Sequence, residues 1–123
     1  MITRKDQTAH DPTGNTPPAC WQRESQVPCL RLELPSGETQ IISYAHFLAA
    51  SLPPAKDTLE TLCICFSSHQ IEIDGHGLRE LLLTLQDLAV NWIRTTPERY
   101  RGVIGQDSEV ISDIRITDLA DER

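Results

Sequence analysis

Hydrophobic and polar positions alternate first between Cys29 and Leu34, where Leu30, Leu32 and Leu34 flank Arg31 and Glu33. That period of two predicts a half-buried strand. Pro35-Ser36-Gly37-Glu38 supplies turn chemistry, and Thr39 to Tyr44 reads as the return strand of a hairpin. The Ala-rich stretch from Ala45 to Leu52 has the composition of a two-turn helix, stopped by Pro53-Pro54. Leu59 to Phe66 predicts a central strand, with Leu62, Ile64 and Phe66 on one face and Thr61, Cys63 and Cys65 on the other. Ser67-Ser68-His69 then forms a turn into a strand carrying Ile71 and Ile73, giving a second hairpin.

At Asp74-Gly75-His76-Gly77 the period changes from 2 to 3.6. Leu78, Leu81, Leu82, Leu85, Leu88, Ala89 and Trp92 share one broad helical stripe, which predicts a long amphipathic helix ending before Pro97. Asp74 near its start and Arg94 near its end suit the helix dipole. Glu98 to Ser108 reads as a polar loop, and Val110, Ser112, Ile114 and Ile116 alternate as a last strand. The expected fold is therefore α+β: a two-layer sandwich of about five mostly antiparallel strands with one long helix on one face.

Charge and composition divide the chain. Residues 1–28 hold four of the eight prolines and balance three basic against three acidic side chains. Such a segment buries too little to offset its ordering entropy, so it is expected to be a flexible arm. Its Trp21 either docks on the domain or marks a short recognition element. Residues 29–118 are expected to form one domain and 119–123 an acidic tail. The net charge of −7 argues against a polyanion binder, and no apolar window is long enough for a membrane span. The N-terminus has a basic pair with no apolar run behind it, so no secretory signal is expected. Four cysteines without such a signal point to free thiols in the cytoplasm.

Candidate chemistry is sparse. Asp74 and His76 occupy a glycine-rich corner that resembles part of a phosphate-cradling loop, but the third glycine of that fingerprint is missing, and Glu72 and Asp74 would repel an anion. The glycines serve more simply as a strand-to-helix corner with Asp74 capping the helix. A carboxylate beside an imidazole could still make this a ligand site. Cys63, Cys65 and His69 offer soft metal ligands, although C-x-C along a strand is not the spacing of a structural zinc site. The acidic C-terminal stretch lacks EF-hand spacing and reads as a solvated face. On the helix, Leu83, Val90 and Ile93 lie outside the main stripe and could pair across a dimer two-fold, where burying them is worth roughly 4–9 kcal/mol before association costs. These readings favour a small, acidic, non-catalytic protein-interaction module that self-associates, with a protein partner and no cofactor, nucleic acid or membrane. A ligand site at Asp74 and His76 and a metal or thiol site at Cys63 and Cys65 are the alternatives.

Overall fold

The computed structural model describes residues 18–55, 57–101 and 109–122. Expectations for residues 1–17 and for the loop at 102–108 lie outside them. The described residues form a mixed α+β fold, with eight strands in two four-stranded sheets, one helix and three short 3-10 turns among them. The first sheet contains β1 (Trp21–Arg23), β2 (Cys29–Glu33), β3 (Thr39–Ser43) and β7 (Val90–Arg94), in the order β1-β7-β2-β3. The second contains β4 (Phe47–Ser51), β5 (Glu60–Phe66), β6 (His69–His76) and β8 (Val110–Asp118), in the order β4-β5-β6-β8. Helix α1 (Arg79–Gln86) joins β6 of one sheet to β7 of the other, and a 3-10 turn at Tyr44–His46 joins β3 to β4.

Both hairpins stand where the alternation placed them. Leu30 pairs with Ile42 in the first, and Leu62 with Ile73 and Ile64 with Ile71 in the second. Gly37 closes the first turn at φ 95°. The inward rows of the two sheets merge with Leu78, Leu81 and Leu85 into one buried cluster. Phe66, Phe47 and Tyr44 pack at 5.7–6.4 Å between ring centroids where the sheets meet. The Tyr44 hydroxyl crosses the core to donate to the Val90 carbonyl at 2.6 Å. On the opposite side, Thr96 clamps the sheets together: its N–H donates to the Ile111 carbonyl at 2.7 Å, and its hydroxyl oxygen accepts from the Ile111 N–H at 3.0 Å.

Three sequence expectations are corrected. The described residues hold eight strands, not about five, and they form two sheets. The Ala-rich stretch is strand β4, because its register on β5 lets Phe47 and Ala50 face inward, with Phe47 against Phe66. The predicted long helix ends at Gln86. Leu88 then takes a left-handed φ of 53°, and the β-branched Val90 and Ile93 enter β7 between β1 and β2. Val90 and Ile93 mimic helical spacing because the register slips at Asn91: Val90 opposes Arg23, and Trp92 opposes Gln22. One extra residue turns a period of two into a step of three.

Trp21 docks on the domain, its backbone pairing with Ile93 and its partly buried side chain packing against the core, while Cys20 beside it is buried. The Cys20 thiol is pushed up to about 11 by burial and stays protonated.

Candidate interaction site

Asp74 and His76 are held by different partners. Asp74 accepts from the Thr61 hydroxyl at 2.8 Å and from Arg115 at 2.7 Å. The Nδ1 of His76 lies 2.6 Å from the Thr58 carbonyl, so that nitrogen carries the proton and ties the 57–59 loop to β6. The corner lies beyond them, at Gly77 with φ 67°. The capping role expected of Asp74 belongs to Glu60, whose carboxylate accepts from the Leu78 N–H at 2.9 Å. Asp74 is too deep in β6 to reach the helix, being paired with Asp113 across the sheet.

Arg115 organises the outer face around Asp74. Its guanidinium lies 2.7 Å from Asp74, 2.8 Å from Asp113 and 3.5 Å from Glu72. The Arg115 hydrogen bond holds the Asp74 carboxyl below its ordinary value, against a smaller opposing effect of burial. An Asp lowered in the fold stabilises it above the ordinary carboxylate value of 3.8, and that stabilisation fades as pH falls through the lowered value. Arg115→Met is thus expected to lose about 1 kcal/mol at neutral pH, a modest figure because the arginine side chain is 43% exposed. Urea unfolding of both proteins at neutral and strongly acidic pH should show the gap closing in acid. A gap independent of pH would exclude this origin.

The thiol pair and His69 are on opposite faces. Cys63 and Cys65 alternate with buried Leu62 and Ile64, so they face outward beside Glu72 and Gln70. His69 is in step with inward Ile71 and Ile73. Its Nε2 lies 3.3 Å from the Gln40 amide nitrogen in the other sheet, and its Nδ1 lies 2.7 Å from the Ser68 hydroxyl. Among the described residues, no three His, Cys, Asp or Glu side chains gather as a metal would require. All four cysteines are free. Burial, with Glu72 and Cys65 adding to it, pushes the Cys63 thiol above its ordinary value, which disfavours the reactive thiolate.

Of the expected interface residues, Val90 and Ile93 are fully buried and cannot meet a partner, whereas Leu83 is 38% exposed. Leu83 lines an apolar cleft of about 320 Å³ with Phe47, Ala50, Leu82, Leu85 and Gln86, between strand β4 and helix α1. Among the described residues, strand β4 is an edge, bonded only to β5. Its outer row of backbone groups can therefore accept another strand.

The sequence around this cleft is unusual in its charge. From Thr39 to Ala55 there is no Asp, Glu, Lys or Arg, although 24% of the chain is charged. This run includes both β3 and β4, each an edge of its sheet. It also holds Leu48 and Ile41, the most exposed large hydrophobic side chains among the described residues, at 67% and 64%. The remaining edges carry charge, through Arg23 on β1 and Asp113, Arg115 and Asp118 on β8. The charge gap was readable in the sequence, but its meaning depended on both strands being edges.

No helix among the described residues is long and apolar enough to cross a membrane. Comparison of the chain with family models, curated proteins and solved structures returned no match.

Proposed function

We propose that this chain is a non-catalytic protein-interaction module of the cytoplasm, whose partner is another protein, a second copy included. The partner adds an extended segment along β4 and places an apolar side chain in the cleft against α1. The observation that carries this reading is the uncharged edge strand lying beside an uncharged, apolar cleft. Main-chain bonds to β4 would supply affinity, and the Phe47, Ala50 and Leu83 walls would select the side chain. Four free thiols, with Cys20 buried, suit a reducing compartment. The commitment of Asp74 to Arg115 and of His76 to Thr58 supports a structural role for both residues rather than a catalytic pair.

Panning a phage-displayed library of linear peptides against the folded chain tests the module. Selected peptides should alternate apolar and polar positions and lose about tenfold or more in affinity on Leu83→Glu. Leu83 is partly exposed, so this variant keeps the fold. Failure to enrich any peptide, or peptides indifferent to Leu83→Glu, would reject the site.

A further inference from the structure

We infer that Cys63 and Cys65 together hold one soft monovalent cation of the copper(I) class, bound in line between their two sulfurs. The site is on the outer face of the second sheet and does not depend on the β4 cleft. Its first support is the spacing of the thiols. Both are free and partly exposed on β5, which is bonded to β4 on one side and β6 on the other, so the backbone beneath them is fixed. Residues two apart on one face of a strand stand about 6.5 Å from each other. A disulfide needs Cβ atoms about 3.8 Å apart, so this spacing forbids the direct bond. Metal–thiolate bonds of about 2.3 Å on either side of a linear ion place its sulfurs about 4.6 Å apart. Each sulfur then leans only about 1 Å toward the other, which rotation about χ1 provides. The strand that keeps the thiols from each other suits an ion between them.

The second support is what surrounds the pair. Cys63 stands between Ser51 and Glu72, and Cys65 between Ala49 and Gln70. Ala49 and Ser51 are too short to cover the sulfurs, which leaves them open to an incoming ion. Among the described residues no third His, Cys, Asp or Glu joins the pair, so zinc lacks the four ligands of a structural site. Copper(I) needs only two, and thiolates are soft enough to select it. Binding replaces two S–H bonds with two metal–sulfur bonds, releases two protons to solvent and leaves one negative charge on the complex. Arg115 pairs with Glu72 in the same row across the sheet, 3.5 Å from its carboxylate, and its positive charge offsets that excess.

Anaerobic titration of the full, reduced chain with copper(I), in competition with a chromophoric copper(I) chelator, tests the site. The wild type should hold one ion per chain. Cys63→Ser and Cys65→Ser should each weaken binding by about 100-fold or more, because each removes one of only two ligands. Cys29→Ser, in the other sheet, should leave the affinity unchanged. All three positions are partly exposed, so serine keeps the fold, and circular dichroism checks that it does. X-ray absorption at the copper edge should count two sulfur neighbours. A wild type that yields the ion to the chelator, undiminished affinity in either Cys63→Ser or Cys65→Ser, or dependence on Cys29 would overturn the inference. One ion shared between two chains, or three sulfur neighbours, would overturn it as well.

Discussion

Gly75→Ala is expected to destabilise the fold by about 3 kcal/mol or more, because the added methyl has no space to occupy. A Cβ at Gly75 would overlap the Val110 carbonyl oxygen and lie 3.0 Å from the Val110 carbonyl carbon and 3.1 Å from the Ile111 Cα. These are backbone atoms of β8, so no side-chain rotation relieves the contact. The approach comes from a bulge: Asp74 pairs with Asp113 but Gly75 with Ile111, which skips Ser112 and draws β8 over the glycine. The Ser112 hydroxyl donates to the Asp74 carbonyl at 3.1 Å and fixes the bulge from one side. Both Ile111 backbone groups are bound by Thr96, so β8 can retreat only by opening that clamp as well. Thermal unfolding should show a Tm lowered by roughly 10–20 °C. Gly37→Ala is the comparison, since nothing lies within 4 Å of that position and only its φ of 95° is strained. It should cost about 1 kcal/mol. Equal small losses in the two variants would contradict the steric account of Gly75.

The parts of this fold that the sequence displays are those built from neighbouring strands. Leu30 and Leu32 alternate with Arg31 and Glu33, and Leu62, Ile64 and Phe66 with Cys63 and Cys65, because each strand has one buried face and a partner one turn away. The elements it conceals depend on distant pairing. β1 is three residues long in a Pro-rich segment and exists because β7 offers it an edge, while β7 also pairs in parallel with β2. Local propensity does not encode either contact. In β4 the Ala residues favour a helix, and packing against β5 overrides that preference. The α1 stripe is legible from Leu78 to Leu85, but its end at a left-handed Leu88 lacks the usual glycine signal. The site follows the same division. Leu83 was visible as surplus apolar surface on a helix, whereas Phe47 and Ala50 joined it only once β4 was an edge strand beside α1.

The two faces of the former helical reading separate most sharply in Ile93→Glu and Leu83→Glu. A continuous helix would expose both residues, and either glutamate would dissolve a dimer while leaving the monomer intact. In the structure Ile93 is fully buried in β7, opposite Leu32 on one side and Trp21 on the other. Glutamate there gives up about 1.5–3 kcal/mol of apolar burial and adds the several kcal/mol needed to bury an unpaired carboxylate. A domain of this size has about 5–15 kcal/mol in total, so Ile93→Glu should leave little folded protein. Leu83→Glu keeps its charge at the solvent edge of the cleft and should change stability by no more than about 1 kcal/mol. Circular dichroism and urea unfolding distinguish the two before any binding assay is interpreted. Loss of association in Ile93→Glu would report unfolding, while the same loss in folded Leu83→Glu would report the cleft. A cooperatively folded Ile93→Glu with a near-native midpoint would contradict the placement of β7 at the centre of the sheet.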